Sequence, residues 1–182
     1  MFIGLDANYS DTIESESIFS KILEYHKDGA GFWRRYGVHH PFLLPGYKGS
    51  GRFYHQSFAD IGFGPNHADM VSFAEILHLP TTGQSKLELV DLDPSHLKKL
   101  NTWVLVGKAE HIFFPAGVAL LMKSSRLFPW LPSKPVGTVG TLKILLDRDG
   151  KRVYQHLHFS NWGKFLERKQ QEAADIQRLI GD

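Results

Sequence analysis

The chain contains no cysteine in its 182 residues. Disulfides, thiolate metal sites and cysteine nucleophiles are therefore excluded. It also lacks any apolar run approaching the ~20 residues needed to cross a bilayer. No basic stretch followed by an apolar stretch opens it, so no secretory leader is expected and a cytoplasmic location is the default. A strong charge of either sign is missing too: 21 Lys and Arg against 19 Asp and Glu leave +2. A nucleic-acid partner would then need a local basic face rather than a basic molecule. Repeats, low-complexity blocks and convincing linkers are likewise missing.

Apolar residues are plentiful, at 42%. That content suits one domain, 1–182, with a full core. Thirteen Phe, 6 Tyr and 4 Trp are generous for this length and leave rings for stacking at a surface. The pattern predicts strands over Met1–Asp6, Ala68–Phe73, His111–Phe114, Thr141–Leu146 and Lys151–Leu157. It predicts helices over Ser15–Tyr25, Phe32–Tyr36, Phe53–Ile61, from Asp93-Pro94 to about Lys108, from Pro115-Ala116 to about Lys123, and over Trp162–Ile180. Apolar spacing carries these assignments. Asp93 before Pro94 is a good helix start, and Asp149-Gly150 between two apolar runs suits a hairpin. Gly29-Ala30-Gly31 reads as an interruption, and 81–85 as a loop. This alternating order implies an α/β fold, a three-layer αβα sandwich around a mostly parallel sheet of four to five strands.

Two short stretches carry most of the functional information. Gly4-Leu5-Asp6-Ala7-Asn8-Tyr9 follows the apolar Met1-Phe2-Ile3, and His158-Phe159-Ser160-Asn161-Trp162-Gly163 follows the last predicted strand. Each sets acid, amide or imidazole groups where a strand runs into a loop. In open α/β sheets ligands bind beyond the carboxyl ends of the strands. Asp6 alone is as readily a turn cap. His156 and His158 are two apart, so in a strand they share a face; a loop donor, a metal pair and hydrogen-bonded core rings are all open readings. Gly46-Tyr47-Lys48-Gly49-Ser50-Gly51 lacks the Walker spacing of a phosphate cradle.

Taken together, the two stretches resemble the paired signature motifs of the uracil-DNA glycosylase superfamily. Gly4-Leu5-Asp6-Ala7-Asn8 stands where that family carries Gly-x-Asp-Pro-Tyr or Gly-x-Asn-Pro-Gly. His158-Phe159-Ser160-Asn161-Trp162 stands where it carries His-Pro-Ser-Pro and a wedge residue. Tyr25, ahead of Phe32-Trp33, is similar to the mismatch-specific and thymine-DNA branch, as are Ala68-Asp69-Met70-Val71, Thr81-Thr82-Gly83 and Pro115-Ala116-Gly117. Ala7, Phe159 and Asn161 replace motif prolines.

The resemblance implies hydrolysis of the bond between a damaged or mismatched base, uracil or a related deaminated base, and its deoxyribose in DNA. Asp6 would hold the attacking water and His158 would hydrogen-bond the departing base. Asn8, Tyr9, Tyr25, Phe32 and Asp69 would contact or stack on the base. Ser160, Asn161 and Lys164 would meet the DNA backbone, and Trp162 would fill the gap left in the duplex. Lys48, Arg52 and Arg168 are further candidates to approach phosphates. DNA is the implied partner; no metal or other cofactor is implied, no membrane is involved, and a monomer is expected. Two rivals stand beside this reading: a metal hydrolase drawing on the 10 His, and a non-catalytic DNA- or nucleotide-binding module on the same fold.

Overall fold

The structure is a computed structural model and describes residues 1–82 and 87–180. Its strands are β1 (Phe2–Gly4), β2 (Asn8–Tyr9), β3 (Phe73–Glu75), β4 (Thr81–Thr82), β5 (His111–Pro115), β6 (Gly137–Val139), β7 (Leu142–Arg148) and β8 (Lys151–His156). Its helices are α1 (Phe19–Lys27), α2 (Gly29–Tyr36), α3 (Arg52–Ala59), α4 (Pro94–Val106), α5 (Ala116–Ser125) and α6 (Leu166–Ile180). None of the described helices is long and apolar enough to cross a membrane.

The α/β class is as the sequence suggests, but the sheet is larger and mixed. Six strands run in the order β3-β1-β5-β8-β7-β6. The pairs β3/β1, β1/β5 and β5/β8 are parallel; β8/β7 and β7/β6 are antiparallel. The Asp149-Gly150 turn folds β7 back onto β8, with φ of 54° and 74° at the two residues, the left-handed pair that a tight hairpin needs. Strand β6 follows a proline-rich segment and holds three residues, too few to show a period.

The second strand is also displaced. An extended stretch over Ala68–Phe73 is not found; instead Pro65–His67 forms a 3-10 turn. The amides of Met70 and Val71 both donate to the His67 carbonyl, at 2.9 and 3.1 Å. That closes the chain into a turn, so β3 begins only at Phe73. The helix does break here, but at Asp28, and the glycines at 29 and 31 belong to the first turn of α2. Asp28 accepts from the Gly31 amide at 2.8 Å and caps α2, supplying a partner for an otherwise orphaned N–H. Asp93 caps α4 in the same way, through the His96 amide. Of the loop expected over 81–85, Thr81–Thr82 pairs in parallel with Asn8–Tyr9; 83–85 lie outside the described residues.

Alternate residues of the central strands face opposite sides. Ile3, Ile112, Phe114 and Val153 pack with Leu97, Leu100 and Val104 of α4 and Val118 and Met122 of α5. Phe2, Phe113 and Tyr154 pack with Trp33 of α2, Phe58 of α3 and Ile176 of α6. The last three strand residues stack in register across β1, β5 and β8, with centroids 4.9 and 4.8 Å apart. Such pairs add about 0.5–1.5 kcal/mol each beyond their buried area. Both faces of β1 are covered, which is why it reads as an uninterrupted apolar run. Helix α6 is fixed by the buried Asp175, which accepts from the Thr141 amide and hydroxyl at 2.7 and 2.8 Å.

Candidate functional site

A cavity of about 760 Å³ opens beyond the carboxyl ends of β3, β1 and β8. Strand order reverses at β1, since β3 lies on one side of it and β5 on the other. That is the switch point at which open α/β sheets leave a crevice. Asp6, two residues past β1, and His158, two past β8, both line it.

Asp6 is oriented by Thr81, whose hydroxyl donates to Oδ2. Thr81 is itself held in place, because its amide donates to the Ala7 carbonyl at 3.2 Å. The β2/β4 pairing thus ties the segment after β1 to the segment after β3.

His158 sits on a tight turn in which the Asn161 amide donates to its carbonyl at 2.9 Å. The Ser160 amide donates to His158 Nδ1 at 3.2 Å. Nδ1 is therefore an acceptor, and the ring proton belongs on Nε2. Burial, and then the nearby Lys169 charge, push the His158 pKa below the ordinary imidazole value. The ring is a neutral Nε2–H donor.

Lys169 of α6 holds this turn. Its Nζ donates to the carbonyls of Phe159 and Asn161 at 2.7 and 2.9 Å and to Ser57 Oγ of α3 at 2.7 Å. All three ammonium hydrogens are used. Glu172, one turn further along α6, accepts from the Leu157 amide at 2.7 Å.

Of the other predicted residues, Asn8, Tyr9, Tyr25 and Ser160 line the cavity. Tyr9 meets His26 Nε2 through its hydroxyl at 2.7 Å. Phe32 does not line it: the ring is fully buried behind Tyr25, edge-on at 5.9 Å. Asp69 is also outside. Its carboxylate is 77% exposed and pairs with Arg34, because the chain turns at 68–71 instead of extending toward the cavity. Trp162 is 77% exposed, and Lys164 lies over the Phe165 ring at 5.3 Å. Asn161 contributes its carbonyl to Lys169 and is not part of the cavity lining. Arg52 is not free for phosphate; it donates to the Phe42, Leu44 and Tyr47 carbonyls. Arg168 pairs with Glu172 at 3.1 Å.

Glu75 is the residue that sequence reasoning passed over. It lies opposite Gly4 in the β1/β3 register, with its carboxyl folded across Gly4 where any Cβ would strike it. Oε2 is sealed from solvent, and no hydrogen-bond partner reaches it among the described residues. Burial, and then the Asp6 charge, raise its pKa to about 8. The available signal was an acid inside the apolar run Phe73-Ala74-Glu75-Ile76-Leu77. Also unforeseen is a packed group of imidazoles. His40 and His55 stack, and His39 Nε2 lies 3.3 Å from His55 Nδ1. Burial drives all three below the ordinary imidazole value. No group of three or more His, Asp or Glu side chains is arranged to hold a metal ion among the described residues.

Fold and cavity define an α/β protein with two carboxyl groups and neutral imidazoles at its strand ends. No lysine or arginine lines the cavity among the described residues. Such a lining favours a neutral ligand that develops positive charge over an anionic one. No protein-family model, curated protein or solved structure matches this chain.

Proposed function

We propose that the protein is a monofunctional DNA base glycosylase, built as the three-layer αβα arrangement of the uracil-DNA glycosylase superfamily that its end motifs resemble. One observation carries the reading: Asp6 and His158, from opposite ends of the chain, line the same cavity.

Cleavage of an N-glycosidic bond builds positive charge on the sugar and negative charge on the departing base. Asp6 holds the attacking water and stabilises the cation, while the His158 Nε2–H donates to a base oxygen. Preorganised donors of this type each contribute roughly 10²–10³ in rate. Asn8 contacts the base or the water, and Tyr25 stacks on the extruded ring. Extrusion costs a few kcal/mol, and stacking returns about 1–3 kcal/mol per base. Ser160 and Lys164 engage the backbone, and the exposed Trp162 occupies the vacated position in the duplex.

The test is a panel of oligonucleotides carrying uracil, hypoxanthine or a mismatch, single-stranded and duplex, with released base and abasic product measured. Release by the wild-type chain, lost in Asp6→Asn, supports the reading. Binding without abasic product overturns it in favour of a non-catalytic DNA-binding module.

A further inference from the structure

Neither end motif supplies an acidic proton for the departing base. His158 is neutral, and its one ring proton is confined to Nε2 by the Ser160 amide. Burial keeps the neighbouring His39, His40 and His55 neutral as well. Tyr9 is pushed up to about 12 and holds its proton too firmly. No lysine or arginine lines the cavity among the described residues. Glu75 is different. It lines the cavity, its Oε2 has no partner among the described residues, and Asp6 stands next along the same strand ends.

We propose that Glu75 is the general acid of this cavity, and that it selects bases with a lone pair on a ring nitrogen. Purines such as hypoxanthine carry one at N3 and N7; uracil carries none. This rests on the glycosylase reading and narrows it to deaminated purines.

The step balances. The C1′–N bond breaks with its electron pair passing to the base, and the base takes the Glu75 proton at a ring nitrogen. A water oxygen bonds C1′ and gives a proton to Asp6. One water is consumed, and one abasic site and one neutral base form. The proton returns from Asp6 to Glu75 before the next turnover.

The groups facing Glu75 are consistent with this role. Among the described residues, Asp6 supplies the charge that moves its titration. Tyr9, Tyr25 and Tyr54 feel the Glu75 charge, and His96 donates from Nε2 to the Glu75 backbone carbonyl at 2.8 Å rather than to the carboxyl. With a pKa of about 8 the acid keeps its proton at neutral pH, near the value at which a general acid works best.

Glu75→Gln keeps the shape and a donor but has no proton to give. Base release should be measured for the wild-type chain and this variant on oligonucleotides carrying hypoxanthine or uracil, from pH 6 to 9. We expect hypoxanthine to be released faster than uracil. The variant should lose roughly 10²–10⁴-fold on hypoxanthine, far more than on uracil, and lose the alkaline fall in rate. Equal loss on both bases, or no loss on hypoxanthine, overturns the acid role while leaving a glycosylase. No base released by the wild-type chain overturns the glycosylase reading and this proposal with it. Carbon NMR titration of Glu75 needs no turnover: a midpoint near 8 that falls in Asp6→Asn supports the assignment, and an ordinary carboxyl titration overturns it.

Discussion

The ring of His40 lies flat on that of His55, with centroids 3.5 Å apart and planes within 4°. Charging both rings at this separation would set like charges against one another. Burial pushes His39 and His40 well below the ordinary value, His55 to about 3 and His156 to about 4. In the unfolded chain these rings take up protons near pH ~6.5. Their contribution to stability is therefore complete above that pH and is lost as pH falls toward 3. Glu75 works in the opposite sense: its raised pKa makes folding less favourable as pH climbs from 4.5 to about 8. Four imidazoles outweigh one carboxyl on the acid side. Melting temperature should fall steeply between pH 6.5 and 4, and Glu75→Gln should melt higher than wild type near pH 8. A melting temperature flat across the acid window contradicts this account.

Asp6→Asn should leave the fold intact, since the Thr81 hydroxyl retains an amide oxygen to donate to. Turnover should drop roughly 10²–10⁴-fold with little change in DNA affinity. Single-turnover base release compared with binding to the same oligonucleotide checks this, and parallel losses in rate and affinity count against a chemical role.

Lys169→Met should loosen the 158–161 turn. Stripping a donor from buried carbonyls costs about 1–3 kcal/mol, and these carbonyls are only partly buried, so the loss falls toward the low end. A role confined to structure would lower stability alone. A positioning role has a second signature: removing the ammonium should raise the His158 pKa, because its charge is one of the two effects that depress it. Proton NMR titration of His158 reads this directly, and Lys169→Arg should restore the midpoint.

Trp162→Ala should impair duplex substrates more than single strands, because only a duplex leaves a gap to fill. The ring is 77% exposed, so its removal should shift melting by no more than a surface change, within about ±0.5 kcal/mol. Equal loss of activity on both substrate forms would remove the wedge role.

Much of the scaffold was readable because local chemistry and packing agree. Asp93-Pro94 caps the helix it announces, Asp149-Gly150 closes its hairpin, and the apolar run at Phe2-Ile3 is covered on both sides. The cavity position of Asp6 and His158 was readable because each ends a parallel strand. What escaped was set by a local turn and by packing between distant segments. The turn at His67 consumed the stretch 68–71 and carried Asp69 to the surface, through local hydrogen bonds that apolar spacing does not encode. Phe32 and Tyr25 look equivalent as rings, yet packing order alone decides that Tyr25 faces the cavity. Glu75 stands in the sequence only as an acid within an apolar run, and nothing in its neighbourhood reveals that a glycine 71 positions earlier makes room for it.

The fit of Glu75 over Gly4 binds those two positions into one inherited unit. A side chain at position 4 expels the carboxyl, and a shortened residue at 75 leaves a void above bare backbone. A lineage changing this wall of the cavity must therefore replace both together or pass through a crippled intermediate. Sequences descended from a common ancestor should show the pair substituted in concert, with an acid at 75 only where 4 is glycine.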